Sequence, residues 1–236
     1  MTAPDQRALD VVGRIAARRA LGWRALAEAF GPPSTATVIA LCAGSTRATI
    51  VYATEWLDSD RERFAPGLDL LDAYSRAASV LGLEAAVVEL SSEHKRLFAE
   101  GTGLVALRES AYLSGGAPAP AIEAITEAHE PAMRTVGVGP DHLVAHLSAS
   151  AALAERERGR WVAGDAERAK ALRVLQRDVL LAHQARFVPA LCDAVTAATR
   201  LDLYRAWAGV LLGYLSIETG VDYGRTVLSP RFQPAT

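Results

Sequence analysis

LRVLQRDVLLAHQARFVPALCDAVTAATRLDLYRAWAGVLLGYLSIETG, residues 172–220, decides the fold class. Leu172, Leu175, Val179, His183 and Phe187 return every three or four positions, the period of one apolar helix face, and Pro189 then bends or restarts the helix. Leu203, Trp207, Val210, Tyr214 and Ile217 repeat the spacing until Gly220, a residue suited to the turn that closes a helix. Alternation of period two, the mark of half-buried strands, is hard to find anywhere in the chain. The expected fold is all-α.

Working outward, Pro140 suits a first helical position, with Asp141 then in the first turn where a carboxylate meets the positive end of the helix dipole. Upstream helices are expected at Leu68–Leu81, Glu84–Ala99 and Ile122–Val136, and a long one at Asp5–Phe30 stopped by Gly31, Pro32 and Pro33. Thr35–Leu57 also reads as helix, although Thr37, Val38, Ile39, Thr49, Ile50 and Val51 are β-branched and stiff at χ1. GTGLVALRESAYLSGGAPAP (101–120) carries four glycines and two prolines, which suits an ordered loop laid across the helices. A single helical domain is expected over 1–226, its N-terminal helices in 1–136 and its C-terminal helices in 137–220, with a hinge at 137–140 and a loose tail at 227–236.

Half of the 236 residues are apolar, enough for a substantial core. A net charge of -2 and a pI near 6.2 supply no general attraction to nucleic acid or to an anionic bilayer. No apolar stretch reaches the ~20 residues of a membrane span, and MTAPDQRALDVVGRIAARRA lacks the apolar core of a secretory signal, so a cytoplasmic protein without stable membrane insertion is expected. Cys42 and Cys192 lack the close spacing of a redox or zinc pair and read as buried thiols.

GVGPDH (137–142) offers a carboxylate and an imidazole at a helix start, where the helix N-terminus favours a neutral His142. The plainer role is capping by Asp141 and packing by His142. His146 follows His142 by one turn, the spacing of two metal ligands, yet no His-Glu-x-x-His pattern accompanies them. Glu109, Ser110 and Tyr112 lie in the Gly-rich loop, whereas Leu97 and Phe98 read first as core residues and His183 as a core histidine. Nucleophile elbows and phosphate-binding loops are missing, so neither an enzyme nor a cofactor is expected. A competing class is a helix-turn-helix regulator, suggested by WRALAEAFGPPSTATVIAL (23–41). Against it, Pro32 and Pro33 lengthen the turn, and Ala36–Ala43 contains no Arg, Lys, Asn or Gln to read base edges.

In order along the chain, Arg96-Leu97-Phe98, Glu109-Ser110-x-Tyr112, Pro140-Asp141-His142 and His183 with Pro189 resemble the signature of the TorD/DmsD/NarJ family of molybdoenzyme-maturation chaperones. The resemblance spans 93–189. It departs at His94, where an aromatic residue is usual, at Leu107 and Arg108 in place of prolines, at His146 in place of a glutamate, and at Phe187 in place of Trp. It implies an all-helical, bundle-like TorD/DmsD-type fold. The implied partner is the apo catalytic subunit of a molybdopterin-dependent oxidoreductase, gripped at its twin-arginine leader and held back from export until its cofactor is inserted. Such a leader joins an apolar helix to two arginines, so its receptor needs an apolar groove with carboxylates at one end. Leu97, Phe98 and Tyr112 would line that groove, Asp141 and Glu109 would take the arginines, and Ser110, Pro140, His142 and His183 would complete the site. No metal or cofactor is implied, and the chain is expected as a monomer or a swapped homodimer.

Overall fold

The computed structural model describes residues 6–55, 65–113 and 138–220. The helices are α1 (Gln6–Phe30), α2 (Thr35–Cys42), α3 (Ser45–Thr54), α4 (Ala65–Leu81), α5 (Leu83–Phe98), α6 (Leu143–Val162), α7 (Ala166–Val179), α8 (Ala185–Ala198) and α9 (Asp202–Thr219). Among the described residues the fold is all-α, and extended pairing is confined to one isolated antiparallel bridge, Arg108 with His142.

At the centre lies α9. Its sequence shows one apolar stripe, yet residues on every side of it are buried, Tyr204, Ala208, Leu211 and Leu215 as fully as Trp207 and Val210. A helix surrounded by partners needs no polar face. Small residues let its neighbours approach: a Cβ on Gly67 of α4 would stand 3.0 Å from the Ala206 carbonyl oxygen. The most extensive pairings are α1 with α6 and α4 with α9, so elements from both halves of the chain share one core, from Trp23, Leu26 and Phe30 to Leu180, Phe187 and Leu191.

Several boundaries differ from the sequence-based expectations. Thr35–Leu57 is not one helix: Gly44, in the left-handed region at φ 71°, ends α2 and starts α3 at a bend of 74°. A β-carbon would strain that conformation, so glycine marks the break that the β-branched residues did not. Among the described residues no single helix is long and apolar enough to cross a membrane, and the α2–α3 pair reaches that hydropathy only jointly. The stretch expected to run from Leu172 to Phe187 as one face is interrupted by a π turn at Leu180–Gln184, just ahead of Pro189 inside α8. The wider turn shifts the phase of the helix, and the stripe fails at Leu175, which is 40% exposed while Gln176 is buried. Cys192 is buried as expected, whereas Cys42 is only half-buried. Helix Ile122–Val136, Gly137 of the hinge and the tail lie outside the described residues.

Gln176 is buried because it feeds a polar cluster that no periodicity announced. Arg19 of α1, 1% exposed, donates through Nε to Glu218 of α9 at 2.8 Å and through Nη1 to Glu157 of α6 at 2.5 Å, and its Nη2 meets Gln176 of α7. Arg173 pairs with Glu218 from the other side. Two guanidinium groups and two carboxylates cancel, which is the condition under which charges tolerate burial. Burial by itself would raise the Glu218 pKa, but Arg19 and Arg173 outweigh it and hold the carboxyl below its ordinary value.

Candidate functional site

The four matched tracts converge where α5 ends, α6 begins and the 101–113 loop passes between them. The loop leaves α5 through Gly103, where a Cβ would stand 2.6 Å from the Leu97 carbonyl oxygen, so only glycine lets the backbone fold back this tightly. Val105 N–H then donates to Leu97 O at 2.8 Å. Further on, Leu143 N–H donates to Leu107 O at 2.7 Å and Glu109 N–H to Asp141 O at 2.9 Å, the two bonds of the bridge. That pairing holds residues 141–142 extended and delays the helix. Contrary to the expected start at Pro140, α6 begins at Leu143, with Pro140 and Asp141 ahead of it.

The cap is His142, whose Nδ1 accepts from Val144 N–H at 3.2 Å. Capping requires a lone pair on Nδ1, so the neutral ring carries its proton on Nε2. Burial, followed by the nearby Arg108 guanidinium, pushes the His142 pKa down to about 4. Asp141 does not cap. Its Oδ1 accepts from Arg108 Nη1 at 2.9 Å and its Oδ2 from the Ser110 hydroxyl at 2.8 Å. Gly139 makes room for this arrangement, since a Cβ there would stand 3.2 Å from Arg108 Nη1 and 3.3 Å from Asp141 Oδ1.

Glu109 is buried behind the loop instead of facing outward. His183 Nδ1 lies 3.0 and 3.1 Å from its two carboxylate oxygens, and His146 Nε2 lies 3.4 Å from Oε2. Burial alone would raise the Glu109 pKa, and contacts with His146 and His183 reverse the shift to below the ordinary value. The π turn supplies the partner: it places His183 on Glu109 while the adjacent Gln184 donates to the Ser150 hydroxyl at 2.9 Å. His146 therefore faces Glu109 and His183, not His142. Among the described residues no group of His, Cys, Asp or Glu is arranged to hold a metal ion.

In front of this junction lies a pocket of about 410 Å³, walled by Phe98 and His94 of α5, Phe30 at the end of α1 and Pro32 just after it, Val105 to Arg108 of the loop, and the cap His142 with Val144 of α6. Its aromatic wall is tied into the core, Phe98 meeting Tyr204 and His94 edge-on with centroids at 5.3 Å in each case. Arg108 and Glu100 complete the lining, joined by a 2.5 Å ion pair. A larger hollow, about 670 Å³, lies beyond the Gly31-Pro32 turn against α2 and α3, but it contains none of the matched residues.

Of the residues singled out from sequence, Phe98 and His142 reach the pocket, and Asp141 and Ser110 stand at its rim through Arg108. Pro140 is half-buried just ahead of them. Leu97 and Tyr112, expected to line the groove, do not: Leu97 is fully buried, and Tyr112 packs on Phe187 at 6.2 Å between centroids. Glu109 and His183 form the clamp behind the wall. Arg96 is likewise structural, donating to Glu93 and to the Ala198 carbonyl oxygen at 2.6 Å and so joining α5 to the end of α8. Sequence reading missed Phe30, Pro32 and Val105 as wall residues, because adjacency of the α1–α2 turn to α5 is a tertiary fact.

Among the described residues the chain is all-helical, and two of the matched tracts, through Phe98 and His142, line one pocket with a charged rim. A sequence model of the nitrate reductase delta subunit family matches residues 58–193, more than half of the chain, and the protein belongs to that family of molybdoenzyme-maturation chaperones of the NarJ/TorD type. Comparisons with curated proteins and with solved structures found no match.

Proposed function

We propose that this chaperone binds the apo catalytic subunit of a molybdopterin oxidoreductase at its twin-arginine leader, in the cytoplasm, before cofactor insertion and export. The observation that carries the reading is the 410 Å³ pocket at the meeting point of the matched tracts, with apolar walls and Asp141 and Glu100 at its charged end. An apolar helix face fits walls made by Phe30, Phe98, Val105 and Val144, and the leader's arginines suit the carboxylates, because a guanidinium fork matches a carboxylate in two hydrogen bonds. Phe98 and His142 contact the client, Asp141 receives an arginine with Ser110 orienting it, and Leu97, Glu109, Tyr112, Pro140 and His183 keep the wall in place. Glu100 takes the role that the sequence suggested for Glu109.

The test is calorimetric titration with a synthetic peptide carrying an Arg-Arg pair ahead of an apolar helix. Asp141→Ala is expected to weaken binding while leaving the circular-dichroism spectrum unchanged. Equal affinity of the variant and the parent chain for that peptide removes Asp141 from the site, and no affinity in either overturns the reading. We further propose that the chain works as a monomer or as a homodimer exchanging α6 to α9 about residues 137–140, states that size-exclusion chromatography across concentration distinguishes.

A further inference from the structure

We infer that Arg108 is a built-in competitor for the client's arginines, so that the binding site rests in a self-occupied state. The inference rests on the leader-binding reading above and concerns its regulation.

Arg108 spans both carboxylates at the charged end of the pocket, Nη1 on Asp141 Oδ1 at 2.9 Å and Nη2 on Glu100 Oε1 at 2.5 Å. A guanidinium placed between two carboxylates is the arrangement that an arginine of the leader would itself adopt there. Both oxygens of Asp141 are engaged, since the Ser110 hydroxyl donates to Oδ2 at 2.8 Å while Arg108 takes Oδ1. Arg108 is also tethered. Its backbone pairs with His142 in the bridge, which keeps its guanidinium at high effective concentration beside Asp141. A cationic segment therefore competes with Arg108 for Asp141, the sheltered carboxylate of the pair.

The displaced contacts are weak enough to yield. The Arg108 side chain is 37% exposed and that of Glu100 82%, so solvent screens that pair heavily, while Asp141 at 16% is the better sheltered partner. Once Arg108 swings out, it has solvent to enter, whereas the second arginine of a leader brings a second charge to the same rim. The device raises the threshold for cations in general and is overcome by a ligand that offers two guanidinium groups together with an apolar segment.

The test compares the parent chain with Arg108→Ala and Arg108→Gln, titrated with the Arg-Arg peptide and with its Gln-Gln counterpart at two ionic strengths. Both variants are expected to bind the Arg-Arg peptide about two- to thirty-fold more tightly, the span given by releasing the two ion pairs that Arg108 makes at the rim, with the gain shrinking at high salt. Affinity for the Gln-Gln peptide is expected to stay unchanged. If the parent chain binds the Arg-Arg peptide and the variants bind it no better, the competitor role is overturned while the leader-binding reading stands. Equal tightening for both peptides also overturns it, since that means a general opening of the pocket. If neither the parent nor the variants bind, both inferences fall together.

Discussion

Replacing Arg19 by leucine removes the hub of the buried polar cluster without altering the pocket. Arg19 Nε and Nη2 donate to the two oxygens of Glu218 at 2.8 and 3.0 Å, and Nη1 donates to Glu157 at 2.5 Å. Leucine leaves Glu157 with only the Trp161 indole N–H at 3.1 Å among these partners, while Glu218 keeps Arg173. Breaking a buried ion pair from one side costs about 3–5 kcal/mol, and the surviving partners place the expected loss near the lower end, about 3 kcal/mol. Urea unfolding followed by circular dichroism at pH 7 measures it, with the slope unchanged if the loss belongs to the folded state. The sign of the pH dependence is a second check. Glu218 has a lowered pKa in the folded parent, so its contribution is complete above the unfolded value of about 4.3 and fades as pH falls through the folded one. Loss of Arg19 removes the larger of the two charge effects that hold the Glu218 pKa down, so the variant loses less on acidification and the gap between the two proteins narrows. A variant within about 1 kcal/mol of the parent at pH 7, or a gap that widens in acid, would refute the account of a charge-balanced core.

Three further outcomes are expected. His142 has a folded pKa of about 4, below its unfolded value, so its contribution to stability is complete above pH ~6.5 and drains away as pH falls from there to the folded value. Discounted for partial exposure, the loss amounts to about 1–2 kcal/mol; His142→Asn, which can still cap, should abolish that segment of the pH profile. Glu109→Ala leaves His183 and His146 facing each other at 5.9 Å between ring centroids without their carboxylate, at a cost of about 1–3 kcal/mol; faster amide exchange at residues 105–113 than in α9 is the signature. Phe98→Ala removes the aromatic wall and is expected to cost more than about 1 kcal/mol of affinity for the Arg-Arg peptide, with calorimetry showing the loss at high salt as well as low.

Sequence alone reached the all-α class, the stop at Gly31-Pro32-Pro33, the end at Gly220 and the order of the four tracts, because helix periodicity and helix-breaking residues act over a few neighbouring positions. A family pattern also singled out Phe98 and His142, which line the pocket, and Asp141, which meets Arg108 beside it. The partners of those groups were decided by tertiary structure. Glu109 and Asp141 are both acidic and adjacent to the same junction, yet one turns inward to His183 and His146 while the other turns to Arg108, and the bridge between residues 107–109 and 141–143 determines which. Similarly, Arg19, Glu157, Gln176 and Glu218 look like ordinary helix-surface residues until α1, α6, α7 and α9 bring their charges together. A local pattern records which face of a helix is apolar. What a buried charge meets depends on residues up to 199 positions away, and only the packing of the whole chain fixes that.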